Sequence, residues 1–316
     1  MQLNKLFFII ILILIFFYIK KNYKFLMCKN CINQQIIGEK CARCEPDELF
    51  CSIKFKSREE TLNELIYNKK SITRFGDGEF KIIFGINTGF QKFNYTLREK
   101  LLQVLNSNYS DLLVGIMQIY KNRHPYWIWW FKKYKLKLAK IINTNKTYYD
   151  AGITRFYNPV INRTNIYKYI KKFKIIWNNR NILIIEGDKT RVGFGNDLLN
   201  NSKSIKRVIC PAVNAFNSYY KIIQYIKNLN IDKETLILIS LGPTATILSY
   251  DIFKLGYQVI DFGHFDLQYE YYLRKLKTTI RIPNKYTNEV YGGNLNITPI
   301  KDPKYLSEIT VIHKIY

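Results

Sequence analysis

Two carboxylates one residue apart in a glycine-rich string are the residues of this chain best suited to chemistry. Asp77 and Glu79 lie in the string R-F-G-D-G-E-F, with Gly76 and Gly78 beside them and Arg74 before them. Carboxylate oxygens are the ligands that Mg²⁺ and Mn²⁺ prefer, and glycine lets the backbone turn sharply and lets a bulky anion come close. The pattern predicts a place where a divalent cation meets a diphosphate. A surface turn is the alternative, but the apolar segments on either side favour the metal site.

The second half of the chain alternates strand-like apolar runs with helical stretches. The runs cover residues 181–185, 207–210, 235–241 and 257–262. Such alternation predicts βαβ units and a mostly parallel sheet. Ligands of these sheets bind beyond the carboxyl ends of the strands. We therefore predict one α/β domain whose functional residues lie in the loops that follow the strands.

Two of those loops carry groups that suit a phosphorylated ligand. The loop after residue 185 offers Lys189 and Arg191 as cations and Gly193 and Gly195 for close backbone approach, although it lacks a complete G-x-G-x-x-G string. Thr244 stands where a helix begins after the third run, and free N–H groups at a helix start favour an anion. A helix cap is the alternative role for this threonine.

The loop after residue 262 carries groups that suit acid–base chemistry. It reads G-H-F-D and includes His264 and Asp266, and Glu270 follows four residues later. An imidazole and two carboxylates at a strand end are candidates for a general base or a metal ligand. Polar packing at the surface of the domain is the alternative.

The composition indicates a folded and strongly basic protein. Of its residues 47% are hydrophobic and 16% aromatic, which is typical of folded chains. The net charge of +25 attracts polyanions. However, the lysines are scattered, and the joint richness in Lys, Asn, Ile and Tyr indicates an AT-rich coding sequence. No aromatic RNA-binding signature is present in the sequence.

The first 25 residues predict a membrane anchor. Residues 6–19 read LFFIIILILIFFYI without a polar interruption, which is short for a full span of ~20 residues. No small-residue cleavage site follows, as a signal peptide would require. Lys20, Lys21 and Lys24 come next, so the positive-inside tendency predicts a cytosolic body. A body in the secretory lumen is the alternative.

Residues 26–52 predict a small zinc-binding segment. Its two C-x-x-C pairs are formed by Cys28, Cys31, Cys41 and Cys44. Four thiolates from two tight turns suit a structural Zn²⁺. Disulfides in an oxidising compartment and palmitoylation of Cys28 or Cys31 are the alternatives. Cys51 and Cys210 are expected to be inert thiols.

An aromatic cluster interrupts the body of the chain at residues 124–134. It reads HPYWIWWFKKY. Aromatic rings of this kind stack on a sugar or a base, or contact a membrane surface. Ordinary core packing is the alternative.

Five segments, taken in order, resemble the motifs of the GT-D glycosyltransferase family: R-F-G-D-G-E, I-E-G-D-K-T-R-V-G-F-G-N-D, S-I-K-R-V-I-C-P-A-V-N-A-F, S-L-G-P-T-A-T and V-I-D-F-G-H-F-D. The likeness covers residues 71–274. It implies a Rossmann-like α/β fold and sugar transfer from a nucleotide donor that is typically UDP-linked. It also implies a divalent metal held by an Asp-x-Glu motif, here Asp77 and Glu79. The first 70 residues and the tail lie outside it.

On this resemblance we expect the nucleotide-sugar donor to contact Arg74, Gly76, Gly78, Lys189, Thr190, Arg191, Gly193, Gly195, Asn196, Asn214 and Thr244. Glycosyl transfer expels a nucleoside diphosphate, and a metal ion and nearby cations would offset its growing charge. The acceptor hydroxyl needs a general base. Asp266 is the first candidate, and His264 and Glu270 follow.

The sequence thus predicts an anchor (1–25), a cysteine segment (26–52), a glycosyltransferase domain (53–275) and a C-terminal extension (276–316). The expected partners are a nucleotide sugar, Mn²⁺ or Mg²⁺, a glycan, glycoprotein or glycolipid acceptor, and a membrane. No specific nucleic acid is expected. Two alternatives to a metal-dependent glycosyltransferase stay open. One is a non-catalytic nucleic-acid-binding protein with a zinc knuckle, and the other a degenerate protein that binds a nucleotide sugar without turnover.

Overall fold

The computed structural model describes residue 50 and residues 52–117, 125–157 and 163–313. The predicted anchor, the four paired cysteines and Cys51 lie outside these residues. Within the described part, no helix is both long and apolar enough to cross a bilayer. The described residues divide into a smaller unit (50, 52–54 and 125–146) and a larger one (55–117, 147–157 and 163–313).

Among the described residues, nine strands form one sheet. They are β1 (Lys54–Phe55), β2 (Ser71–Phe75), β3 (Leu112–Ile116), β4 (Thr147–Asp150), β5 (Asn181–Gly187), β6 (Ser204–Cys210), β7 (Leu236–Ser240), β8 (Val259–Asp261) and β9 (Ile309–Ile312). Their order is β1-β4-β3-β2-β8-β7-β5-β6-β9. Every neighbouring pair from β4 to β9 is parallel. The predicted α/β fold with a mostly parallel sheet is confirmed.

Helices alternate with these strands. They are α1 (Arg58–Tyr67), α2 (Asp77–Ile83), α3 (Tyr95–Leu105), α4 (Pro125–Ala139), α5 (Ile166–Lys174), α6 (Tyr219–Asn228), α7 (Pro243–Phe253), α8 (Phe265–Leu273) and α9 (Pro303–Glu308). Local sequence sets several starts: Ser57, Asn94 and Asp302 accept hydrogen bonds from the first turns of α1, α3 and α9. Of these helices, α4 belongs to the smaller unit.

The core explains why the strands read as unbroken apolar runs. All five residues of β7 are buried, and β5 is buried from its second residue onward, as expected for parallel strands that are covered on both faces. An aromatic cluster of Phe173, Trp177, Phe262 and Phe265 packs in the same core.

The order of the strands creates a crevice between β2 and β8. From β2 the chain continues to its neighbour β3, whereas from β8 it leaves in the other direction and reaches β9 at the far edge. Ligands of open α/β sheets bind where adjacent connections separate in this way, outside the carboxyl ends of the strands. The loops after β2 and β8 carry the predicted metal motif and the predicted acid–base groups.

The segment predicted as a C-terminal extension shares the sheet, because β9 pairs with β6. A buried charge network fixes it there. Arg207 Nη1 lies 2.6 Å from Glu186 Oε1, and Arg207 Nε lies 2.7 Å from Glu308 Oε2. The hydroxyl of Tyr305 donates to Glu186 at 3.1 Å. Residues near 305 are therefore tied to the interior of the sheet.

Candidate active site

The predicted metal motif forms the first turn of a helix. Strand β2 ends at Phe75 and α2 begins at Asp77, so both carboxylates follow the carboxyl end of β2. The N–H of Gly76 donates to Glu79 Oε2 at 2.7 Å, and Lys81 Nζ lies 2.7 Å from Asp77 Oδ2. The helix dipole favours two acids at this position. The string therefore forms a fixed helix start that remains half-buried.

The surroundings of Glu79 disfavour the ionised form of its side chain, and a nearby cation would oppose this effect. Burial raises the pKa of Glu79 to about 7, and the charges of Asp261 and Asp77 add to the shift. A bound cation favours the ionised form of a nearby carboxyl group. The divalent metal predicted at this turn stays a prediction.

Arg74 ties three elements together at the same crevice. Its Nη2 lies 2.9 Å from Asp261 Oδ1, and its Nη1 donates to the carbonyl of Ala151 at 3.0 Å. Gly263 has a φ of +50°, and a Cβ there would lie 1.9 Å from Arg74 Nη2. Only glycine fits beside this guanidinium. The predicted contact between Arg74 and a diphosphate stays a prediction, since these bonds show an anchoring role.

His264 lies beside two charged residues that the sequence analysis did not single out. Arg155 follows the 3₁₀ turn Ala151–Thr154 and donates to His264 Nδ1 at 2.5 Å. Glu289 Oε1 lies 2.5 Å from Arg155 Nη1 and 3.7 Å from His264 Nδ1. The charge of Asp77 acts on both His264 and Glu289. His264 and Glu289 therefore lie near enough to the metal motif to experience the charge of Asp77.

The contact with Arg155 fixes the proton of His264. A guanidinium cannot accept a hydrogen bond, so Nδ1 is the acceptor and the ring proton lies on Nε2. Burial lowers the pKa of His264 to about 4, and the charge of Arg155 adds to this effect. At pH 7 the ring is neutral and presents an N–H donor. This geometry speaks against His264 as the general base.

Glu289 is the ionised carboxylate of the trio. Burial acts to raise its pKa, but the positive charge of Arg155 and the hydrogen bond from its guanidinium act in the opposite direction, and the pKa lies below its usual range. About a third of the side chain (36%) is exposed. No local sequence signal marks Glu289 or Arg155, because they meet only through the ends of separate elements.

We expect His264 to lower the stability of the protein as the pH falls from about 6.5 to about 4. The unfolded chain binds a proton at this residue near pH 6.5, whereas the folded protein does so only near pH 4. Stability that is present above pH 6.5 is therefore lost on acidification, by about 2 kcal/mol at pH 5. Urea unfolding at pH 7 and pH 5 should show a smaller pH difference for His264→Gln than for the wild type. Equal differences would contradict the burial of a neutral imidazole.

Asp266 and Glu270 are buried and bind the loop after β5. Lys285 Nζ lies 2.6 Å from Asp266 Oδ2 and 3.1 Å from Glu270 Oε1. The Nδ2 of Asn196 donates to both carboxylates, and the N–H of Gly193 donates to Asp266. Each acidic side chain is 4% exposed. This arrangement speaks against either residue as the general base, because a base must reach the acceptor hydroxyl.

Arg191, predicted as a phosphate contact, holds the C-terminal segment instead. It has a φ of +57° and is 5% exposed. Its Nη1 donates to the carbonyl of Asn284 at 2.9 Å, and its Nη2 donates to that of Thr298 at 2.6 Å. Lys189 is half-buried, and no ion pair is found for it among the described residues. The predicted contact between Lys189 and a phosphate stays a prediction.

The remaining predicted donor residues shape the loops. Asn214 has a left-handed backbone conformation, and its Oδ1 accepts a hydrogen bond from the N–H of Lys92 at 2.8 Å. Thr244 is buried and does not cap α7, because the N-cap is Gly242. With a φ of +54°, Gly242 lies so close to Phe90 that a Cβ would be 2.6 Å from its ring. Gly195 also has a positive φ, and Thr190 N donates to the carbonyl of residue 187.

Comparison with known families gives a match over most of the chain. The family described as Glycosyltransferase GT-D fold matches residues 72–290. The match extends beyond residue 274, where the likeness of the motifs ends, and includes Lys285 and Glu289. Both residues of the metal motif and the whole Arg155–His264–Glu289 trio therefore lie within the matched region.

Two curated relatives come from streptococci. Glycosyltransferase GlyD of Streptococcus pneumoniae serotype 4 is 32% identical over 264 residues, which is 81% of this chain. The probable glycosyl transferase Gly of Streptococcus gordonii is 31% identical over 278 residues, or 86% of this chain. The chain spans 32% and 40% of the lengths of these two relatives.

Solved structures agree with the fold. One represents the domain of unknown function 1792, described as having a distinct glycosyltransferase fold. It has a TM-score of 0.76 and 30% identity, and covers 84% of this chain and 97% of that one. Another is a new glycosyltransferase with the same domain from Streptococcus sanguinis. It has a TM-score of 0.76 and 29% identity, and covers 82% of this chain and 99% of that one.

Proposed function

We propose that this chain, which belongs to the GT-D-fold glycosyltransferase family, moves a sugar from a nucleotide-sugar donor to a glycan or glycoconjugate acceptor. The observation that carries the proposal is the start of α2, where Asp77 and Glu79 follow β2 at the crevice beside β8. The family resemblance implies a UDP-linked donor. A nucleic-acid-binding role would give this acidic turn no purpose, because phosphate is repelled by carboxylates unless a cation lies between them.

We propose that a Mn²⁺ or Mg²⁺ ion binds at this turn. Ions of this kind bind in phosphate sites through one or two carboxylates together with substrate oxygens. Asp77 and Glu79 supply two carboxylates, and the described residues contain no group of three or more His, Cys, Asp or Glu that could hold a metal. The diphosphate of the donor would complete such a site. The metal would supply positive charge that stabilises the leaving diphosphate.

Three residues of the chain have roles that follow from their contacts. His264 presents its Nε2–H to a substrate oxygen, because Arg155 occupies Nδ1. Arg155 also holds Glu289 in place. Glu289 is exposed and ionised, so we assign it the hydrogen bond from the acceptor hydroxyl. This replaces the predicted order of bases, in which Asp266 came first.

Glu289→Gln tests this assignment. We expect the turnover rate to fall roughly 10²-fold, because an amide cannot take up a proton, whereas the KM for the donor changes little. Glu270→Gln is the matched comparison. This variant should show reduced stability, since Glu270 pairs with the buried Lys285. Initial rates and thermal unfolding of both variants distinguish the two residues. A fully active Glu289→Gln variant would remove Glu289 from the mechanism.

The activity is tested by incubating the full chain in detergent with a panel of nucleotide sugars, with and without Mn²⁺. Release of a nucleoside diphosphate from one donor, dependent on the metal, is the expected result. Hydrolysis without an acceptor also reports the donor. Binding of a donor without any release would instead identify a degenerate sugar-binding protein.

Two further proposals concern the residues before the body. Residues 1–25 would anchor the protein in a membrane, with the catalytic domain in the cytosol or, as the alternative, in the secretory lumen. The four paired cysteines would hold a structural Zn²⁺. Metal analysis of the purified chain, compared with a Cys41→Ser variant, tests the zinc. Bound zinc that is unchanged in the variant, or its absence from both, would contradict the proposal.

A further inference from the structure

Helix α4 has two different faces. Trp130, Tyr134 and Leu138 are buried and recur at intervals of four residues, so they form one buried face of the helix. The opposite face exposes large apolar side chains: Trp129 is 52% and Leu136 74% exposed. These two side chains share one face of the helix and form an apolar row, which marks a candidate interaction site.

The charges on α4 are all of one sign. Lys132 and Lys133 within α4, and Lys140 directly after its end, are exposed. The sequence has no Asp or Glu between Asp111 and Asp150. The Nζ of Lys133 lies 5.1 Å from the centre of the Trp129 ring, so the lysine stem runs along the aromatic surface. The partner of this face must therefore present both an apolar region and negatively charged groups.

We propose that the exposed face of α4 lies in the headgroup region of an anionic bilayer. Tryptophan and leucine enter the boundary between headgroups and acyl chains, while lysines extend their ammonium groups to lipid phosphates. Basic residues next to a membrane add attraction to anionic lipid. A neutral glycan stacked on Trp129 is the competing occupant, but it gives no role to a lysine-only flank or to Leu136.

The proposal does not depend on the enzymatic activity. It also concerns residues other than the apolar run 6–19, which is predicted to anchor the chain. If that run is anchored, binding by α4 becomes an intramolecular step and is favoured by the high local concentration of lipid. The face would then hold the smaller unit flat against the bilayer surface.

The test is the quenching of tryptophan fluorescence by brominated lipid. The full chain is reconstituted into vesicles of phosphatidylcholine, alone or mixed with phosphatidylglycerol, that contain lipid brominated near the headgroup. The four tryptophans are residues 127, 129, 130 and 177, so we expect Trp129→Phe to lose most of the quenched emission. Leu136→Trp in the Trp129→Phe background should restore it.

The charge requirement has a matched control. Replacing Lys132, Lys133 and Lys140 together by glutamine should weaken the engagement of α4 with anionic vesicles roughly fivefold per lysine. The same change at Lys168, Lys203 and Lys227, which are exposed elsewhere, should leave the quenching unchanged. Quenching that is equal in Trp129→Phe and wild type, or independent of anionic lipid, would overturn the proposal. A shift of Trp129 emission caused by soluble oligosaccharide without lipid would favour the glycan instead.

Discussion

Asp77→Asn or Glu79→Gln should reduce sugar transfer roughly 10³-fold, the scale seen when a group that stabilises transition-state charge is lost, while the fold is kept. Each change preserves the shape of the side chain but removes the charge that holds a divalent cation. The Gly76 N–H can still meet the amide oxygen of a glutamine at position 79, since it now donates to Glu79 at 2.7 Å. Initial rates at saturating Mn²⁺ measure the effect, and circular dichroism verifies the fold.

Two controls separate metal binding from local structure. Lys81→Met removes the ion pair with Asp77 without removing the carboxylate, and a partly exposed pair of this kind contributes little to stability. Glu234→Gln changes an exposed acid elsewhere. Both variants should keep their activity. Full activity of the wild type in excess chelator, or of either carboxamide variant, would refute the role of the metal.

Arg207→Met should lower the free energy of unfolding by about 3–5 kcal/mol, as is typical when one partner of a buried ion pair is removed. Glu186 is fully buried and would lose its main charged partner. Urea unfolding measures the loss. Lys206→Met is the matched control, because it removes an exposed charge from the same strand and should change stability by less than about 0.5 kcal/mol.

The double variant Arg207→Met with Glu186→Gln distinguishes the charge from the packing. It should recover part of the loss, since it replaces an unpaired carboxylate with a neutral amide that Val192 N–H can still meet. If the double variant were as unstable as the sum of the two single variants, the network would not be coupled, and lost packing of the arginine stem would explain the effect.

The sequence predicts the sheet because its strands are encoded locally. Strands such as β7 are apolar runs buried along their whole length, whereas the helix α2 that begins at Asp77 was not predicted. Periodicity and turn chemistry are properties of neighbouring residues. These features can therefore be read without knowing what lies across the sheet.

The roles of single charged residues could not be predicted in the same way. Asp266 has the residue type of a base, yet Lys285 from a distant segment neutralises it. Arg191 has the residue type of a phosphate contact, yet its guanidinium donates hydrogen bonds to the carbonyls of residues 284 and 298. Glu289 has no neighbouring motif at all. Their partners follow from tertiary packing, which residue type and spacing do not encode.

The buried network around Arg207 has a consequence for synthesis on the ribosome. Glu186 and Arg207 leave the exit tunnel about a hundred residues before Tyr305 and Glu308, which complete their contacts. Until then, strand β6 is an unpaired edge of the nascent sheet, and the buried charges of Glu186 and Arg207 lack some of their partners. A chain in this state is prone to chaperone binding or aggregation. We therefore expect the part of the sheet around β6 to reach its stable folded state only after β9 has been translated.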